Sequence, residues 1–331
     1  MRRSSVVLAG RPSGGRRGSP WTGMGAVIAK ETADHLGGVR MIVIEILMFL
    51  IALVVAWFAA TTIRTTIGQS PFLFLRLLTV TPETVPLSVT AIIGLVTPVI
   101  AIALGFDAIN GEFNQRTLSR LLAQPIYRDA LLLGKFLARL LALTIALVSL
   151  WLLVLGLGIL RFGLPPNFDE VVRMLGFFCA TIAYGGVWLS IAVLFSVIFR
   201  APATAALASL GLWLLFTFFW AVMLTPLLAT VIAGPPEGLL RPNLHYALTQ
   251  QWLDRLSPST LYTEAAQALL QPEKRFFGVV YLTQLIGAVP APLRTSQSFI
   301  LVWPQLTGLV AATIVIFVIA YICFQRQEIR A

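Results

Sequence analysis

The strongest constraint on this chain is a series of six long apolar stretches, each long enough to cross a lipid bilayer. They occupy residues 46–63, 87–104, 140–160, 174–199, 203–233 and 300–324. Roughly 20 apolar residues span the hydrocarbon core as a helix. Within a bilayer the backbone must satisfy its own hydrogen bonds, and stretches without short-range polar alternation do so as α-helices. The sequence therefore predicts an all-α polytopic membrane protein with six transmembrane helices.

The composition supports this prediction. Hydrophobic residues make up 58% of the 331 residues and charged residues only 11%, which is too little polar surface for a soluble domain of this size. A seventh apolar stretch, 276–289, is shorter, and its length favours a re-entrant or interfacial segment over a span. The stretch 203–233 is longer than one span needs, and Pro226 is a candidate break within it.

The distribution of basic residues predicts the orientation. The net charge is +10, and Lys and Arg collect on the cytoplasmic side of membrane proteins. Six spans with a cytoplasmic N-terminus place both the Arg-rich residues 1–20 and the charged segment 105–139 in the cytosol. We therefore expect a multi-pass protein of the cell membrane with both termini cytoplasmic. The basic charge then reflects topology, and we expect no nucleic-acid partner.

The chain divides into three parts by composition. Residues 1–20 are rich in Arg, Gly and Ser and are predicted to be a disordered basic tail. Residues 21–40 mix apolar and charged residues, which predicts an N-terminal amphipathic helix lying at the membrane interface. Residues 41–331 form a single transmembrane domain. Its large outer loop, 234–299, separates the fifth and sixth spans and contains two predicted helical segments, 243–256 and 259–270.

The most distinctive polar segment is 105–139, between the second and third spans. On a helical wheel its apolar arc and its polar arc separate cleanly. The apolar arc holds Thr117, Leu118, Leu121 and Leu122, and the polar arc holds Glu112, Gln115, Arg116, Ser119 and Arg120. Pro125 ends this helix, and Lys135 and Arg139 mark the cytoplasmic end of the third span. The pattern predicts a short helix with a polar face towards the cytosol, and an ordinary solvated loop helix would fit it equally.

This segment resembles the region after the second span of ABC-2-type transporter permeases. The resemblance rests on Asp107, Ile109, Glu112, Thr117-Leu118, Leu121-Leu122, Pro125-Ile126, Arg128 and Gly134-Lys135. The segments around Ala29-Lys30-Glu31, Leu256-Ser257-Pro258 and Gln325-Arg326-Gln327 are similar to further parts of the same family. The six-span branch that the chain resembles includes the permease of the nitrous-oxide-reductase maturation transporter and multidrug-type exporters.

The resemblance implies a permease that pairs with a second permease subunit, as a homodimer or with a close relative, and with two copies of a cytosolic ABC ATPase. It makes 105–139 the cytoplasmic coupling helix that docks on the ATPase. That role is carried to Glu112, Arg116, Thr117, Arg120 and Arg128, with a supporting role for Glu31. Arg116 stands where the family commonly has Gly.

The sequence offers little catalytic chemistry of its own. It contains no G-x-x-x-x-G-K-[ST] phosphate-binding loop. We therefore expect that this chain is not an enzyme, and that ATP and Mg²⁺ bind to the partner subunit. Cys179, Cys323, His35 and His245 do not have metal-ligand spacing, so we expect neither metal nor cofactor on this chain.

Three functions remain open at this point. The first is an ATP-driven exporter permease. The second is a permease that transmits ATPase motion to an extracytoplasmic protein through 234–299. The third is a secondary carrier or channel, which usually needs ionisable groups near the middle of the membrane. Glu45 and Asp107 lie near the ends of their spans, where a structural role is favoured. In each case the partners include membrane lipid.

Overall fold

The computed structural model describes residues 24–65, 72–114, 128–235, 244–273 and 292–326, and all regular structure in these ranges is helical. Six of the helices are long and apolar enough to cross a membrane, which confirms the predicted number. They run over Val39–Ile63, Val89–Asn114, Asp129–Phe162, Phe168–Ile198, Pro202–Ala233 and Thr295–Arg326. The predicted basic tail 1–20 and the apolar stretch 276–289 lie outside the described residues.

In chain order, the α-helices are α1 (Met24–Leu36), α2 (Val39–Thr65), α3 (Leu73–Thr79), α4 (Val89–Gly105), α5 (Asn110–Asn114), α6 (Arg128–Phe162), α7 (Phe168–Ile198), α8 (Pro202–Leu214), α9 (Thr225–Ala233), α10 (Leu244–Asp254), α11 (Pro258–Leu270) and α12 (Thr295–Arg326). Helices α4 and α5 together make up the second spanning segment, α8 and α9 belong to the fifth, and the other short helices lie outside the six segments. The two helices expected in the loop 234–299 are thus α10 and α11.

The fifth span is continuous through Pro226, where the sequence had suggested a break. A π-helical stretch, Leu215–Leu224, joins α8 to α9 without interruption. A proline lacks the amide that one ladder bond needs, and its ring crowds the preceding turn. A wider π-turn accommodates such a residue while the backbone stays hydrogen-bonded. The fifth span therefore crosses as one helix with a wide segment in its middle.

Helix α7 lies at the centre of the bundle. It packs against α4, α6, α8, α11 and α12. In its most apolar stretch of 18 residues, 72% of the residues are buried. The corresponding fraction is only 11% in each of the fifth and sixth spans, so these two helices present most of their surface outward. The α4–α7 contact is close because Gly105 has no side chain. A Cβ at this position would lie 2.6 Å from Ala192 Cβ and 3.2 Å from the carbonyl oxygen of Leu189.

Arg173 directly precedes the apolar stretch 174–199, so the sequence predicts that it lies in the loop before the fourth span, and the structure shows otherwise. Helix α7 begins at Phe168, earlier than the apolar stretch, so Arg173 lies within the helix and is buried. Its guanidinium donates to Ser298 Oγ at 2.7 Å and to the carbonyl of Leu269 at 3.3 Å. These partners belong to α12 and α11. A cation that the sequence assigned to a solvated loop therefore joins three helices inside the protein.

Glu170 accepts hydrogen bonds from backbone amides at the N-termini of two helices, α3 and α7, at the end of the bundle where Arg173 lies. Its carboxylate accepts from the amide of Phe74 in α3 and from the amide of Asn167 just before α7, each at 2.9 Å. The first amides of a helix have no partner within it, so a buried carboxylate is well placed there. We call this end, where α3 and α11 meet, the loop end. The opposite end, where α1 and α5 lie, is the charged end.

We expect the substitution Gly105→Ala to destabilise the protein. The added methyl would overlap Ala192 and the backbone of α7, and overpacking of this kind costs about 1–3 kcal/mol. Gly156→Ala is the matched control, since a Cβ there meets no atom within 4 Å. The thermal midpoint of the detergent-solubilised protein should fall for Gly105→Ala only. Equal midpoints for the two variants would contradict the close α4–α7 contact.

Candidate functional site

Two cations on α6 are buried at the charged end of the bundle. Lys135 and Arg139 lie one helical turn apart, and their side chains are 3% and 4% exposed. Lys135 Nζ binds Glu31 Oε1 of α1 at 2.9 Å and also pairs with the carboxylate of Glu112 in α5. Arg139 lies 3.4 Å from Glu31 Oε2 and donates through Nε to the carbonyl of Leu104 at 2.8 Å. We call Glu31, Glu112, Lys135 and Arg139 the charge cluster.

The charge cluster explains how ionised groups are tolerated inside an apolar bundle. A buried cation is costly unless it is paired and hydrogen-bonded. Here two cations face two carboxylates, and Arg139 uses further donors on the carbonyls of Lys135 and Leu104. Because the partners come from α1, α4 and α5, the pairing fixes the position of those three elements against α6.

Further contacts hold α5 to the turn between α7 and α8. Ser196 Oγ accepts from the amide of Asn110 at 3.3 Å, and Asn110 Nδ2 donates to the carbonyl of Phe199 at 3.2 Å. Asn114 Nδ2 donates to the carbonyl of Arg200 at 3.1 Å. Helix α5 therefore has partners on both the third and the fourth spans, although it is only five residues long.

The beginning of α6 is held by the last spanning helix. Tyr321 of α12 donates to Asp129 Oδ1 at 3.0 Å, and Gln325 of α12 binds the same oxygen. Residues 115–127 lie outside the described residues, but the chain on either side of them is well connected. Helix α5 ends at Asn114 and α6 begins at Arg128. Both flanks of this segment are thus tied to the spanning helices.

Two of the six predicted site residues meet in the charge cluster, namely Glu31 and Glu112. The helical wheel had placed Glu112 on a cytosol-facing surface, whereas one of its carboxylate oxygens binds the buried Lys135. Arg116, Thr117 and Arg120 lie outside the described residues. Arg128 is the first residue of α6, and its side chain is outside the described part, so the docking roles of these four residues stay predictions.

Lys135 and Arg139 are the residues that sequence reasoning missed. The sequence marks them as the cytoplasmic end of the third span, but α6 starts well before them and they lie within it. Two basic residues four apart, directly before an uninterrupted apolar run, are the signal that could have found them. If the spanning helix includes both basic residues, they lie on one face of it and need acidic partners, because unpaired charges inside a membrane protein are costly.

The two other acidic residues that border spans have structural partners. Asp107, just after α4, pairs with Arg40 of α2 at 2.8 Å. Glu45 of α2 accepts from Ser149 Oγ of α6 at 2.7 Å. Each contact joins a pair of neighbouring helices, which agrees with the structural role favoured by the sequence.

Burial and charge set the ionisation of the α1 side chains. Burial by itself raises the pKa of Glu31, but the positive charges of Lys135 and Arg139 outweigh it, and the pKa of Glu31 is lowered. Burial lowers the pKa of His35 from 6.5 to about 4, and the charge of Arg139 adds to this effect. Around neutral pH, Glu31 is therefore ionised and His35 is neutral, as the charge cluster requires.

The arrangement is suited to transmitting movement between helices. Among residues 24–65, 72–114, 128–235, 244–273 and 292–326 no group of acidic, His or Cys side chains could hold a metal ion. At the charged end, ion pairs and hydrogen bonds join α1, α4, α5, α6 and the α7–α8 turn. Fold and site together define a multi-pass membrane subunit with a mechanically connected polar end.

Comparison with known proteins identifies the family. The model of the family described as "ABC-2 family transporter protein" matches residues 25–329, and the chain belongs to this family. It is 33% identical over 249 residues to a protein of Pseudomonas aeruginosa named "Probable ABC transporter permease protein NosY", covering 73% of this chain and 79% of the relative. It is 28% identical over 295 residues to the protein of that name from Stutzerimonas stutzeri, covering 87% and 96%.

The family resemblance read from the sequence is thereby confirmed. The chain is a membrane-spanning permease subunit of an ABC transporter. Permeases of this class associate with an ATPase subunit and with another permease. The charged end of the bundle contains Glu31, Glu112 and Lys135, and the last two belong to the segment 105–139 for which the resemblance implied ATPase docking.

Replacing Lys135 by Met should destabilise the charged end strongly. The change removes the cation and leaves two carboxylates without it, and breaking a buried ion pair from one side costs about 3–5 kcal/mol. Arg40→Met is the matched control, because the Arg40–Asp107 pair is 57% and 27% exposed and exposed pairs contribute about 0–1 kcal/mol. We expect a much larger fall of the thermal midpoint for Lys135→Met; similar falls would argue against a buried charge cluster.

The stability of the charged end should depend on pH through His35. In the unfolded chain His35 takes up a proton below its ordinary pKa of 6.5, whereas in the folded protein it does so only near pH 4. The unfolded state binds more protons in this window, so stability falls as the pH drops from 6.5 to about 4. Thermal midpoints measured across this range should decline less steeply for His35→Gln. An unchanged slope would show that His35 does not titrate in this way.

Proposed function

We propose that this chain is the permease subunit of an ATP-driven exporter and that the segment 105–139 docks on a separate cytosolic ABC ATPase. The observation that carries the proposal is the charge cluster. Lys135, in the cytoplasm-proximal part of α6 by this proposal, binds both Glu31 of α1 and Glu112 of α5. The residues on both sides of 115–127 are therefore connected to the spanning helices. A force exerted by the ATPase on 115–127 would act on these helices.

The proposed transmission has a defined path. Movement of residues 115–127 would displace α5 and the start of α6, since these are their direct neighbours in the chain. Arg139 connects the start of α6 to the end of α4 through the Leu104 carbonyl, and Asn110 connects α5 to the end of α7. The second, third and fourth spans would then move as a group, with α1 carried along by Glu31.

The proposal assigns each partner a share of the chemistry. ATP and Mg²⁺ bind to the ATPase, and this chain contributes docking contacts from Arg116, Thr117, Arg120 and Arg128. The charged end then faces the cytosol with both termini, as the distribution of Lys and Arg favours. The outward surface of the fifth span, of which only 11% is buried in its most apolar window, is available to a second permease subunit. Export as the direction follows the resemblance to exporter permeases.

A second candidate function is supported by contacts at the loop end. Three hydrogen bonds join the fifth span to the α10–α11 region: Trp220 Nε1 to the Leu253 carbonyl at 2.9 Å, Ser257 Oγ to the Phe216 carbonyl at 3.1 Å, and Thr225 Oγ1 to Asp254 Oδ1 at 2.6 Å. Movement of the fifth span would therefore reach the loop 234–299. A permease that acts on an extracytoplasmic protein would use this connection, and in that case it need not move a solute.

The docking proposal is tested by co-purification. The chain is expressed with the ABC ATPase encoded beside its gene and captured through a tag on the permease. Arg116→Ala combined with Arg120→Ala should reduce recovery of the ATPase on the order of tenfold or more, since interface arginines are frequent hot spots. Arg76→Ala combined with Arg294→Ala is the matched control, because it removes the same charge at the loop end.

The two outcomes separate clearly. Loss of the ATPase from the first variant alone, with both variants inserted in the membrane at equal levels, supports docking through this segment. Equal recovery of the ATPase with both variants would refute the docking roles of Arg116 and Arg120. A wild-type chain that is folded yet captures no ATPase would refute docking of that ATPase on the segment 105–139.

A further inference from the structure

A cavity at the loop end has the size of a small-molecule site. Its volume is about 430 Å³, and it lies between α4, α7, the π-helical stretch and α11. Ligand sites in proteins commonly enclose roughly 300–1,000 Å³ and are apolar with a few placed polar groups. This cavity fits that description, because Leu87, Leu95 and Phe218 contribute apolar walls and none of the described residues that line it carries a charge.

Three hydroxyl groups form a chain at the cavity wall. Tyr184 Oη of α7 lies 3.1 Å from Ser259 Oγ of α11, which lies 3.1 Å from Thr217 Oγ1 of the π-helical stretch. Three hydroxyls have three O–H donors, and the two bonds between them use only two. One donor and several lone pairs therefore remain for a molecule in the cavity.

The ring of Tyr262 forms part of the same wall. It stacks on the ring of Tyr184, with centroids 4.5 Å apart and an angle of 18° between the planes, and the residue is 2% exposed. Aromatic pairs of this kind stabilise each other's position, so the stacking holds Tyr184 in place beside the hydroxyl chain.

The backbone around the cavity is held in place from several sides. Gly94 of α4 lies against the Tyr262 ring, and a Cβ there would approach Tyr262 Cε1 to 2.8 Å. The π-helical stretch supplies Thr217 and Phe218, and it is fixed to the loop end by the bond from Ser257 Oγ to the Phe216 carbonyl. Such π-turns occur frequently at functional sites.

We propose that this cavity is a binding site for a neutral, amphipathic small molecule. Its polar group hydrogen-bonds to the hydroxyl chain of Tyr184, Ser259 and Thr217, and its apolar body lies against Leu95 and Phe218. Charged ligands are disfavoured because the described lining residues supply no counter-ion, and an unpaired charge in an apolar site is costly. Binding here does not require the ATPase, so it stands apart from the docking proposal.

Photolabelling of the purified full-length chain tests the site. The probe is 3-azioctanol, a neutral eight-carbon alcohol with a diazirine, used on the chain alone in lipid nanodiscs, and adducts are mapped by mass spectrometry. We expect saturable labelling of residues around Tyr184 and Tyr262 that excess octanol displaces. The same diazirine on octanoic acid should label these residues at least tenfold less.

Two variants connect the labelling to the cavity. Ala91 lines the cavity, and Ala91→Trp fills it, so labelling around Tyr184 should fall at least tenfold. Leu207→Trp is the matched control, because Leu207 is 70% exposed on α8 and outside the cavity. Thr217→Val removes one hydroxyl while keeping the side-chain volume, and it should raise the half-saturating probe concentration about two- to tenfold, as expected for one hydrogen bond.

The opposite results would overturn the proposal. Labelling that does not saturate, that spreads over the outward faces of the fifth and sixth spans, or that is equal for the alcohol and the acid would show that the cavity does not select a neutral ligand. Labelling that survives in a folded Ala91→Trp variant would place the probe elsewhere. If Ala91→Trp does not fold, unchanged half-saturation in Thr217→Val would count against the hydroxyl chain as the recognition element.

Discussion

Polar and charged groups buried in an apolar bundle must find partners inside the protein, and this requirement determines which helices of this permease meet. Lipid is as apolar as the helices, so hydrophobic burial alone does not select one helix neighbour over another within a bilayer. At the charged end, Lys135 and Arg139 of α6 bind partners on α1, α4 and α5, and these contacts place the three elements beside α6. At the loop end, Arg173 selects α11 and α12, and Glu170 selects α3.

The two polar ends are joined by the central helix α7. Near its C-terminal end, Ser196 accepts from the amide of Asn110 in α5, and in its middle Tyr184 lies beside the cavity. A rigid helix that makes directional contacts at two sites can transmit movement from one site to the other. The fifth span adds a route of its own, since its π-helical stretch is bound to α10 and α11 near the same cavity. The site proposed for ATPase docking and the site proposed for a neutral ligand thus belong to one connected set of helices.

Sequence reasoning succeeded where the signal was local. Long apolar runs predicted six spans, and the predicted helical segments 243–256 and 259–270 correspond to α10 and α11. It failed where a helix extends beyond its apolar run. Arg173 was assigned to a loop and lies buried in α7, and Pro226 was considered a break in a helix that continues through it. The short helix α3 was not expected at all. Of the candidate site, Glu31 and Glu112 proved to share a partner, while the roles of Arg116, Thr117, Arg120 and Arg128 rest on the resemblance.

The sequence by itself determined the membrane class, the number of spans and the family, because hydropathy and short motifs are properties of consecutive residues. Only the tertiary structure decided how the polar residues are used. Glu31 and Lys135 are 104 positions apart, and Tyr184 and Ser259 are 75 apart. No local period or spacing relates residues at such distances. They meet because buried donors and acceptors have to be satisfied within the bundle, and that condition acts on the packed protein rather than on the chain.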